Sequence, residues 1–172
     1  MVVTMLAVVL GALMMPLTTA QKTETHDVNY AYAQQEERTG LDSMVSQIRQ
    51  AYNILDTTSN SIDFYVNLNG VGYRVDYDCT VPQPHTSYHE CVRVQVAAGS
   101  SLPSLGSGRV VIRNVLNGTP SDPVFTFAPD PAAPYYMTAT IKVPASGGVS
   151  GGLTHSITLS DGALMRNENV GN

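Results

Sequence analysis

With 172 residues, the chain has room for one compact domain and an additional N-terminal segment, but hardly for two domains. A formal net charge of −5 with only 9 Lys and Arg excludes the clustered basic patch of a nucleic-acid-binding surface, so no nucleic-acid partner is expected. Charged residues make up 13% of a chain rich in Ser, Thr, Asn, Gly and Pro, a composition that suits an exported, strand-rich surface protein better than a cytoplasmic enzyme.

Residues 1–21, MVVTMLAVVLGALMMPLTTAQ, carry no charged side chain and are just long enough to span a bilayer as a helix, kinked at Pro16. A cleaved secretory signal ending at Thr18-Thr19-Ala20 is the rival reading, although no Lys or Arg precedes the apolar run. A buried core helix is disfavoured because the run is apolar on every side. The residues that follow favour a retained stem. No Gly or Pro occurs from Leu17 to Thr39, and Leu41, Met44, Val45, Ile48, Ala51, Tyr52 and Leu55 recur at helical spacings of three and four. Gly40 interrupts the pattern as a weak point costing about 1 kcal/mol against alanine, where a bend is expected. A continuous helix of about 55 residues would be roughly 80 Å long, too long for so small a core, and its first half would need lipid or neighbouring helices around it.

From Ser61 onward the chain reads as antiparallel sheet. Ile62, Phe64, Val66 and Leu68 alternate with polar residues up to Asn69-Gly70, and Val71, Tyr73, Val75 and Tyr77 alternate beyond it. Asn-Gly between alternating runs predicts a two-residue hairpin, which opposes Leu68 with Val71, Val66 with Tyr73, Phe64 with Val75 and Ile62 with Tyr77. Further strands are predicted at Cys91 to Val96, Arg109 to Val115, Val124 to Phe127, Tyr135 to Val143 and Leu153 to Leu159, with a turn at Asp161-Gly162 leading into a short last strand. The apolar face of this sheet needs a cover, and the stripe Leu41, Met44, Val45, Ile48, Tyr52 and Leu55 is expected to supply it.

Chemistry is sparse. Cys79 and Cys91 flank a loop and, behind an export or membrane signal, are expected to form a disulfide contributing about 3 kcal/mol. A zinc site from Cys79, His85, His89 and Cys91 is the alternative, but the spacing does not match structural zinc patterns. His155 and Ser156 are adjacent on a strand and so point to opposite faces, which leaves no hydrolase pair. Asp76, Asp78, Asp122 and Asp130 are considered as calcium ligands without any EF-hand pattern. Asn117-Gly118-Thr119 has the form of a glycosylation sequon. No catalytic residue, cofactor or metal is assigned, and an enzyme is not expected.

Three stretches carry a family likeness: MVVTMLAVVLGALMMP, then LDSMVSQIRQAYNI followed by IDFYV, and LSDGALMRN near the C-terminus. Together they resemble the type IV pilin and type II secretion pseudopilin superfamily, most closely its minor pseudopilin-like members. The family's basic leader, glycine, aromatic residue and acidic residue do not precede Met1, so the sequence is expected to start late within the prepilin-type segment. The resemblance implies a structural subunit held in the cytoplasmic membrane with its head outside, which then enters a pilus or secretion filament through its N-terminal helix. It implies membrane lipid and other subunits as partners, with Val8, Gly11, Leu13 and Pro16 packing the helices.

The expected architecture is therefore α+β, a long N-terminal helix packed on an antiparallel sheet head. Its parts are an apolar stem over 1–21, an amphipathic continuation over 22–56 and a head with one disulfide loop over 57–172. The expected localisation is a single-pass membrane protein with an extracytoplasmic head, reaching the cell surface or a pilus after assembly. A secreted binding or adhesion domain released after Ala20 is the alternative.

Overall fold

The computed structural model describes residues 34–131, 134–144 and 156–165. Helix α1 covers 34–49. Eight strands follow: β1 (Ala51–Thr57), β2 (Ser61–Leu68), β3 (Val71–Pro82), β4 (His89–Ala97), β5 (Arg109–Val115), β6 (Phe125–Ala128), β7 (Tyr136–Pro144) and β8 (Ser156–Leu164). They form two antiparallel sheets, one in the order β1-β2-β3-β4-β5 and one in the order β6-β7-β8.

This corrects the expected fold class. Among the described residues the structure is predominantly strand in two sheets with one short α-helix, of about 24 Å, in place of a long helix on one sheet head. The expected amphipathic helix over 22–56 is helical at 34–49, but from Ala51 it is a strand of the first sheet. The expectation of a single-pass membrane protein is corrected as well: among the described residues no helix is long and apolar enough to cross a membrane. The apolar segment 1–21, with Val8, Gly11, Leu13 and Pro16, lies outside the described residues.

The helical stripe misleads at its end for a physical reason. Ala51 is buried, as a fourth turn would have made it, but it reaches the core as a strand residue opposite Val66. Two register shifts in the β1–β2 pair then re-aim the following side chains, and Tyr52 and Leu55 stand out at 38% and 40% exposure. Leu41, Met44, Val45 and Ile48 are all buried and cover the apolar face of the sheets. The β2–β3 hairpin turns at Asn69-Gly70, both at positive φ, in the register that the alternation demands, from Leu68↔Val71 to Ile62↔Tyr77. Phe64 and Tyr77 stack on its inner face with ring centroids 6.2 Å apart. Cys79 and Cys91 form a disulfide between β3 and β4, wholly buried in the core.

Gly40 does not bend the helix, which runs through it. A Cβ there would lie 2.5 Å from the Val111 carbonyl oxygen and 2.8 Å from Ile112 Cγ1, so the glycine lets α1 seat directly on β5. Asp161-Gly162 is likewise no turn. β8 pairs with β7 in unbroken register from Ser156 to Leu164, and Gly162 is the position over which the Tyr136 ring lies, where an added Cβ would fall on its hydroxyl.

Two buried asparagines join the sheets. Asn60, in the β1–β2 turn, donates from Nδ2 to the Gly118 carbonyl (2.9 Å) and accepts at Oδ1 from the Val124 amide (3.1 Å). Asn117 donates to the carbonyls of Thr140 (2.7 Å) and Pro123 (3.2 Å) and accepts from the Lys142 amide (3.0 Å). The amide nitrogen of the sequon is thus engaged and fully buried, with no room for a glycan in the folded protein.

Two outcomes test this account. Gly40→Ala should lower stability by about 1–2 kcal/mol in urea unfolding, because overpacking against backbone outweighs the roughly 1 kcal/mol gain in helix propensity; a stabilised variant would show that α1 does not sit on β5. Asn117→Ala should cost about 3 kcal/mol by leaving buried backbone groups unpaired, and intact mass of the native chain from a glycosylating host should show Asn117 unmodified.

Candidate functional site

A cleft opens where the C-terminal end of α1, the start of β1 and the second sheet meet. Its volume is about 1290 Å³, and Arg49, Gln50, Tyr52, Asn67, Tyr135 and Tyr136 line it together with Leu164 and Met165. Tyr135 is 67% exposed, Leu164 59% and Tyr136 41%, so the largest exposed apolar side chains gather at one mouth. Local structure holds them there. The Tyr135 amide donates to the Ala128 carbonyl (2.8 Å) and the Met165 amide to the Tyr135 carbonyl (3.0 Å), fixing the chain just outside the end of the β7–β8 pair where β7 starts and β8 stops. Tyr52 stacks on Tyr65 at 6.1 Å. Arg49, in the last turn of α1 where a cation suits the helix dipole, donates to the Gly162 carbonyl (2.6 Å) and pairs with Asp161 (3.2 Å). The cleft is therefore aromatic, amide-rich and locally neutral, suited to holding another surface by contact area and hydrogen bonds.

Sequence reasoning missed this cleft. The strand predicted over Tyr135 to Val143 begins one residue later, at Tyr136, and Tyr135 stays outside it. Consecutive tyrosines directly after Pro134 were the available signal, since only one of two neighbours on a strand can face the core.

The other sequence candidates are scattered. The two cysteines are bonded to each other, so they hold no zinc, and among the described residues no group of three or more His, Cys, Asp or Glu can hold a metal. His89 Nδ1 is buried without a hydrogen-bond partner among the described residues. His155 lies outside the described residues. Asp122 pairs with Lys142 (2.7 Å), and Asp78 accepts from the amide and hydroxyl of Thr80 (2.7 and 2.6 Å). Asp63 and Asp76 stand directly opposite on the outer face of the first sheet. Asp63 is held by a bidentate contact from Arg74, while burial, and then the charges of Asp63 and Asp78, push the Asp76 carboxyl up to about 6. On the other face Glu37 projects from α1 and accepts the Arg113 amide at the edge of the first sheet (3.1 Å); burial raises its carboxyl to about 7.

No family model, curated protein or solved structure matches the chain.

Both raised carboxyls act in one direction. Their stabilising contribution is complete below their unfolded values near 4 and is lost as pH rises through the folded values of about 6 and 7. The thermal midpoint should therefore fall between pH 5 and pH 8. Glu37→Gln, whose amide oxygen still accepts the Arg113 amide, should flatten that slope and raise the midpoint at pH 8. Parallel pH profiles for the two proteins would remove Glu37 from the account.

Proposed function

We propose that this protein is a non-enzymatic structural subunit of a pilin- or pseudopilin-like filament, and that the tyrosine-lined cleft is where its head touches a neighbouring subunit. One observation carries the reading: Tyr52, Tyr135, Tyr136 and Leu164 are large, exposed and gathered around a single opening, the pattern of a contact surface. The disulfide supports it by suiting an oxidising compartment. The three sequence stretches that resemble minor pseudopilins support it independently of the cleft. The predominance of strand favours a second reading, a secreted binding domain released after Ala20.

The test pairs localisation with a surface variant. Tyr135→Ser with Leu164→Ser changes only exposed side chains and should leave the unfolding free energy within about 1 kcal/mol of the native protein. The native chain is expected in the sheared filament fraction and the variant is expected to be lost from it. Recovery of the native protein solely as a monomer in the medium, with Gln21 at its N-terminus, would replace the filament reading with the secreted one.

A further inference from the structure

A second opening, of about 610 Å³, runs between α1 and the edge of the first sheet, and its lining includes Thr39, Ser43, Gln47, Arg93 and Arg109. Arg93 on β4 and Arg109 on β5 are directly opposed in the antiparallel register. Like charges in that position repel and weaken a sheet. Here no ion pair among the described residues offsets them. Arg93 donates from Nε to Gln47 Oε1 (2.9 Å) and from Nη2 to Gln95 Oε1, both neutral, and Arg109 has no hydrogen bond or ion pair among the described residues. The four ion pairs of the described residues all involve other cations, Arg49, Arg74, Arg113 and Lys142. In a chain of net charge −5, an arginine pair with no ion-pair partner among the described residues, and with the Ser43 hydroxyl in the same lining, is an arrangement that suits an anion.

The same lining narrows the anion. Glu36 lines the same groove, so the formal charge of the three groups is about +1, which matches a monoanionic carboxylate better than a phosphate dianion. No aromatic ring lines the groove to stack on a sugar, whereas Val111, two residues beyond Arg109 on the same face of β5, offers apolar contact beside the charges. Arg93 is already oriented by Gln47, whose Oε1 also accepts the Tyr77 hydroxyl (2.8 Å), so part of the side-chain ordering is complete before binding. We propose that this groove binds an acidic peptide segment, with one carboxylate seated between Arg93 and Arg109 and an apolar neighbour against Val111. The site is separate from the tyrosine-lined cleft and does not depend on the filament reading.

The experiment is a titration of the full chain with the capped peptide Ser-Val-Glu-Val-Ser, followed through the Nε–H resonances of Arg93 and Arg109. Saturable binding is expected, weakening with salt and falling at least about tenfold when the peptide's Glu is replaced by Gln or when the protein carries Arg109→Gln. Because Arg109→Gln removes a repulsion, the free variant should melt at or above the native protein at low salt. Equal binding of the Glu and Gln peptides, unchanged affinity in Arg109→Gln, or stronger shifts from trigalacturonate than from the peptide would overturn the proposal. A lowered midpoint in the free variant would overturn it too, by showing that the arginine pair serves the fold.

Discussion

Two buried amides hold this molecule together. Asn60 and Asn117 satisfy backbone groups that neither sheet can satisfy itself, at the junction where the chain leaves β5 and crosses to β6. Each asparagine is buried, so its hydrogen bonds form away from water, where an unpaired group is costly. Backbone contacts extend the junction: the Ser59 carbonyl accepts from both Val124 and Phe125, and the Leu116 amide donates to the Lys142 carbonyl. Without this seam, the three-stranded sheet would have its own apolar face and no fixed place to put it.

The helix depends on the same arrangement. Its apolar stripe meets a core that draws on both sheets, from Phe64 and Tyr77 to Phe125, Met137 and Ile141. Gly40 allows close approach on one side, Arg49 ties the last turn to β8 on the other, and Glu37 occupies an amide at the β5 edge that would otherwise invite strand addition. Burying a carboxyl for that purpose makes stability sensitive to pH. The molecule accepts the cost where it closes an edge.

The surfaces are less resolved energetically than the interior. Exposed tyrosines around one cleft and a directly opposed arginine pair in another are features that folding alone does not favour, since the first leaves apolar area wet and the second opposes like charges. Their positions on opposite sides of α1's contacts separate an aromatic, neutral surface from a cationic one.

What could be read directly from the residues were the local patterns with short range. Asn69-Gly70 and the flanking alternation determined a hairpin and its register; Leu41, Met44, Val45 and Ile48 determined the buried face of a helix; Cys79 and Cys91 stood close enough in sequence to mark their bond. Four of the strands beyond the hairpin were legible from alternation alone, within a residue or two. Tertiary structure decided the rest. The helix stops before Ala51 because β2 offers that segment a partner, and pairing energy is invisible to periodicity. Gly40 and Gly162, which read as a bend and a turn, prove to be places where another chain segment comes too close for a Cβ. The division into two sheets, the cleft and the arginine pair all arise from residues far apart in the chain, whose meeting is set by packing and not by any local preference.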